Sequence, residues 1–138
     1  MIPAEQAQQL KTLLRLAYDP VGVSGANDTD SVTHGLAPAP SACSFWRRAE
    51  TARFTADAQS HMNCKVGAHV MGFSLAGEDM QALGALVQTM TGVSYIMPEE
   101  VPALPRLPEH KAWHYTPLSA ASVTPELVLL WIDGRQVM

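Results

Sequence analysis

Two cysteines and two histidines are the residues of this chain best able to do chemistry together: Cys43, His61, Cys64 and His69. His61 and Cys64 stand three apart, a separation that puts two ligands on one side of a helical turn. His69 follows Cys64 by five positions, and Cys43 arrives from a separate expected helix. Two thiolates with one or two imidazoles make a soft donor set, suited to zinc, an iron–sulfur centre or copper. Met62 and Met71 add thioether sulfur nearby. The expected metal ligands are therefore Cys43, His61 and Cys64, with His69 as a fourth. The plainer alternative makes Cys43 a buried helix residue, as free cysteine often is, and gives His61 a local hydrogen bond. A thiol nucleophile is the third reading. Cys64 would open a short helix whose N-terminus lowers the thiol pKa, and His61 or His69 would act as its base.

Other constellations carry less. Gly67 to Gly72 has glycines, but neither nucleotide-phosphate loop pattern is present. Glu78-Asp79 and Glu99-Glu100 are adjacent pairs whose side chains diverge, which suits helix starts and loops better than an acid/base dyad. Trp113-His114-Tyr115 would alternate across a strand, with Trp113 and Tyr115 on one face and His114 on the other. That face could line a pocket, although core packing is the commoner use.

The elements that must position these groups follow from composition and periodicity. The chain has 138 residues, 47% hydrophobic and 16% charged, which is enough for one domain with a packed core. Its net charge of −4 and scattered Lys and Arg argue against a nucleic-acid partner. The longest apolar run, Leu127 to Ile132, is far too short to cross a bilayer, which takes ~20 residues. The N-terminal segment reads as an amphipathic helix rather than a signal peptide. A cytoplasmic, reducing location with both thiols free or metal-bound is the expectation.

Leu10, Leu13, Leu14 and Ala17 recur at helical spacing and predict a helix over 3–18 with one buried stripe, ended by Asp19-Pro20. A short strand over 21–24 and a polar loop to Pro40 come next. A second helix over 42–53 follows, with Ser41 as its cap. Residues 54–58 predict a strand, 61–72 a helical turn bounded by Gly67 and Gly72, and 78–91 a helix capped by Gly92. The apolar face of that last helix is Met80, Leu83, Leu86, Val87 and Met90. Four prolines between 97 and 108 exclude regular helix and favour an extended crossing. Residues 112–118 and 127–132 predict strands, the second apolar enough to be central in a sheet. The expected fold is α/β, with α+β as its alternative: a mixed sheet packed with about three helices. The abrupt ending at Gln136-Val137-Met138 suggests the start of another helix in a longer polypeptide.

Several short segments, in this order, resemble the bacterial and archaeal family known as domain of unknown function 169. They are Asp19-Pro20-Val21-Gly22-Val23, Cys43 through Ala49, Phe54-Thr55 and His61 through Ala68. Glu100-Val101-Pro102, Pro105-Arg106-Leu107 and Tyr115-Thr116-Pro117-Leu118 complete the set. The resemblance implies that Cys43 and the His61-x-x-Cys64 segment occupy characteristic positions, and it brings no reaction with it. Relatives often carry proline after the motif cysteine and a histidine near position 71, where this chain has Lys65 and Met71.

Two functions are expected from these observations. The first is a soft-metal or metallocofactor site on the Cys/His set. The second is a non-catalytic module that binds a small ligand, or builds a homo-oligomer, with its cysteines merely buried.

Overall fold

Residues 21–26, 54–57 and 112–117 each alternate an apolar with a smaller or polar side chain, the two-residue period of a sheet with unlike faces. The computed structural model, which describes residues 4–36 and 41–136, turns them into β1 (Val21–Ala26), β2 (Phe54–Asp57) and β3 (Ala112–Pro117). A short β4 (Leu127–Leu129) joins them, and the strand order is β2-β3-β1-β4. Helices packed on one sheet are the expected architecture. Within it, every pairing is antiparallel where a mixed sheet was expected. The reason is that β3 inserts between β1 and β2 and runs against both.

β4 also departs from expectation. It pairs only along the outer side of β1, so the run 127–132 forms an edge and not a central strand. Trp131 and Ile132 beyond it are 49% and 43% exposed. An apolar run reports burial only if something lies on both sides of it, and here β1 covers one.

The core lies on one face of the sheet. Val21, Val23, Phe54, Ala56, Trp113 and Tyr115 point there and meet Phe45 and Ala49 of α2 (Ser41–Ala49). Ala68 of α4 (Lys65–Val70), with Met71, Phe73 and Leu75, closes the far side. Arg47 of α2 lies over the rings of Tyr18 and Trp131 while its guanidinium binds Glu50 at 2.6 Å. The expected Ser41 cap falls on a side chain outside the described ones, and Pro3, Val137 and Met138 lie outside the described residues altogether.

Helix α1 (Ala4–Leu13) ends five residues before the expected stop. Leu16 N–H donates to the Lys11 carbonyl and Arg15 N–H to that of Thr12, with Arg15 at φ 52°. That is a Schellman ending with arginine in the left-handed position usually held by glycine. The predicted stripe is broken as a result: Ala7 and Leu16 are buried, whereas Leu13 is 77% exposed.

Helix α5 (Gly77–Gly92) repeats the device. Ser94 is at φ 55°, and Tyr95 N–H donates to the Met90 carbonyl. The expected cap, Gly92, therefore lies inside the helix. Of its predicted apolar face, Leu83 is buried and Val87 and Met90 are half-buried, while Met80 and Leu86 face outward.

The proline-rich segment is extended only in part. Pro98–Ala103 winds into a 3-10 turn, started by Pro98 and tied by a hydrogen bond from Met97 N–H to Glu100 Oε2. Proline is tolerated at a helix start because its missing N–H has no partner to lose there. The extended part begins at Leu104 and crosses the end of α4. There Arg106 donates to the carbonyls of His69, Gly72 and Phe73.

Candidate functional site

The four residues singled out by type and spacing have separate surroundings. Cys43 is exposed on α2, so it is not the buried helix residue that the plainer reading expected. Cys64 precedes the first residue of α4 and caps it: its Sγ accepts the Gly67 N–H at 3.3 Å. His69 is half-buried near the end of α4, and its carbonyl accepts from Arg106.

His61 closes α3 (Ala58–His61) and is fully buried. Its Nδ1 is 2.7 Å from the Asp57 carbonyl, which can only accept, so Nδ1 carries the proton. Nε2 is then the acceptor, 2.7 Å from the hydroxyl of Tyr115, which donates to it. Burial pushes the imidazole pKa below 6.5, against the opposing pull of the Asp57 carbonyl and carboxylate, and it pushes the Tyr115 hydroxyl pKa up. The ring packs edge-on against Phe45, at 5.1 Å between centroids, and lies tilted against Phe73 at 4.8 Å. Both ring nitrogens are thus engaged within the core. Among the described residues, no group of three or more His, Cys, Asp or Glu side chains is arranged to hold a metal ion.

The opposite face of the sheet is where polar groups gather. Ser24 of β1 pairs in register with His114 of β3, which pairs in turn with Thr55 of β2. One transverse row of three polar side chains therefore crosses three strands. His114 Nδ1 and Thr55 Oγ1 are 2.7 Å apart. Gly22 and Thr116 make the next row, and Arg53 comes alongside it just ahead of β2.

A cavity of about 430 Å³ lies over these rows, with Ser31, Thr33, Ser122 and Val123 among its other walls. Its volume falls in the ~300–1,000 Å³ range of small-molecule sites. Thr33 is fastened to the edge of β2: its N–H donates to the Thr55 carbonyl, and its Oγ1 accepts from Thr55 N–H at 3.0 Å.

Ser24 is 4% exposed, yet its hydroxyl has no hydrogen-bond partner among the described residues. It lines the cavity. The oxygen keeps access to that space, so its hydrogen-bonding capacity is open to whatever fills it. The sequence signalled part of this face through the alternation that separates His114 from Trp113 and Tyr115. Nothing in it signalled that positions 24, 55 and 114 share a row.

Comparison with known proteins places the chain. The DUF169 family, described as uncharacterised ArCR, matches residues 9–138, nearly the whole chain. The chain belongs to that family. No curated protein and no solved structure is detectably similar to it.

Several of the segments on which the resemblance rests have structural work in this chain. Arg106 ties the crossing segment to the carbonyls at the end of α4, and Phe45 and Ala49 are core residues. Asp19 binds Lys11 at 2.9 Å and accepts from the hydroxyl of Ser119. Position 65 is the first residue of α4, where a proline would cost no hydrogen bond. Lys65 instead forms an ion pair with Asp79 of α5 at 2.5 Å. Met71 is buried, and its carbonyl accepts from Trp113 Nε1 at 2.7 Å. Among the described residues no helix is long and apolar enough to cross a membrane.

Proposed function

We propose that this DUF169 member is a small-ligand-binding module whose seat is the cavity on the polar face of the sheet. The observation that carries this reading is the row Ser24–His114–Thr55, set on three hydrogen-bonded strands beneath a cavity, with the Ser24 hydroxyl unpartnered among the described residues. Side chains on paired strands are held more rigidly than side chains on loops, and such preorganisation favours binding. Thr55 and His114 fix each other's orientation through their hydrogen bond. A cytoplasmic setting belongs to the same reading, supported by two cysteines that form no bridge with each other.

The test is a small-molecule screen read by backbone amide shifts, run on the parent, Ser24→Leu and Thr55→Val. Ser24→Leu puts a branched side chain into the cavity, and Thr55→Val removes the hydroxyl that His114 meets. Ligands should shift the amides of residues 24, 55, 114 and 116 in the parent. Both variants should stay folded by circular dichroism and lose that response. A broad screen in which no compound shifts those amides would sink the proposal.

A further inference from the structure

The chemistry of the cavity wall narrows the class of ligand, and this step rests on the small-ligand reading above. Arg53 is the one residue of fixed charge among the cavity walls, and no Asp, Glu, Asn or Gln stands with it. Three other arginines, by contrast, are occupied. Arg47 binds Glu50, Arg48 lies over the Phe54 ring at 5.2 Å, and Arg106 is taken up by three carbonyls. The Arg53 side chain has no ion pair or hydrogen bond among the described residues.

A guanidinium only donates hydrogen bonds, and it meets a carboxylate or phosphate through two parallel N–H groups. The Ser24, Ser31 and Ser122 hydroxyls, which make no side-chain hydrogen bond among the described residues, line the same cavity and can donate as well. Neutral polyols are commonly held by carboxylate or amide side chains, which the wall lacks; its hydroxyls can accept as well as donate, so the preference for an anion rests on Arg53. We infer that the cavity takes a small oxyanion, a molecule bearing a carboxylate or phosphate group, with Arg53 as the residue that selects for negative charge.

The experiment titrates the full chain and the variants Arg53→Gln and Arg53→Lys with inorganic phosphate, malonate and glycerol. The readout is again the amide shifts of residues 24, 55, 114 and 116. Phosphate or malonate should shift them and glycerol should not, and the tighter of the two anions identifies the source of the oxyanion. Arg53 is exposed, so both variants should melt with the parent. Arg53→Gln should weaken anion binding roughly tenfold or more, as loss of a charge-assisted hydrogen bond does. Arg53→Lys should recover only part of it, because an ammonium cannot make the paired contact. Equal anion affinity in Arg53→Gln would overturn the inference. So would glycerol or other neutral compounds shifting these amides while the anions leave them unmoved, and in that case the binding module itself would stand. Silence from charged and neutral compounds alike would remove both.

Discussion

The Nε2 of His61 and the hydroxyl of Tyr115 lie 2.7 Å apart across the core, joining a four-residue helix to a central strand. Each completes the other: the imidazole accepts, the phenol donates, and both are buried away from bulk solvent. Tyr115→Phe would leave a buried acceptor unsatisfied and should cost about 1–3 kcal/mol in denaturant titrations. The sign of the pH effect follows from the lowered imidazole pKa. The unfolded chain binds a proton at the ordinary histidine value of 6.5 while the native one resists it, so acid favours unfolding. The stabilisation is fully present above that value and is lost as pH falls from it toward the lowered native one. Unfolding at pH ~8 and pH ~5 should show this loss in the parent, and His61→Gln should show less of it.

Cys64 offers a test that separates a capping residue from a metal ligand. Its sulfur accepts one of the free N–H groups at the start of α4. Serine is a better acceptor in that place, so Cys64→Ser should leave stability unchanged or raise it by up to about 1 kcal/mol. A structural metal held by Cys64 would give the opposite result. Thermal melting beside elemental analysis of parent and variant, both purified anaerobically, reads the two outcomes separately.

Both Schellman endings place a non-glycine residue in the left-handed region, at Arg15 and Ser94. A left-handed L-residue costs about 1–2 kcal/mol, part of which glycine returns as extra freedom in the unfolded chain. Arg15→Gly and Ser94→Gly should each stabilise by about 0.5–1 kcal/mol. Gly92 lies inside α5 with open space where a Cβ would go, and Gly92→Ala should stabilise by up to about 1 kcal/mol. Chemical denaturation of the three variants measures these gains, and a loss at Gly92→Ala would return that residue to the capping role its type suggests.

Gly72 behaves oppositely. It sits at φ 88°, and a Cβ there would come within 2.4 Å of the Pro108 carbonyl oxygen on the crossing segment. Gly72→Ala combines backbone strain with a clash against main chain, and should destabilise by about 2–3 kcal/mol. The nearby Arg106 and Leu107 contacts should loosen with it, seen as faster amide exchange at Leu107, whose N–H donates to the Val70 carbonyl at 2.9 Å.

Local chemistry determined much of this protein in advance. Strands were legible over 21–24, 54–58 and 112–118, and two-residue alternation set Trp113 and Tyr115 on the face opposite His114. An apolar period marked α5, whereas the proline expected to stop α1 stands well beyond its end. These are properties of a few neighbouring residues, so a sequence displays them directly. Tertiary structure decided the rest. Strand order made β4 an edge, although its residues suit a centre. Arg15 and Ser94 ended helices because the chain had to turn there, not because their types favour it. His61, chosen for its spacing to Cys64, is bound instead to Tyr115, 54 positions away. The row Ser24–His114–Thr55 exists only through the registers of β1, β2 and β3. Register between distant strands is fixed by how whole faces fit into a core, and no local spacing encodes it.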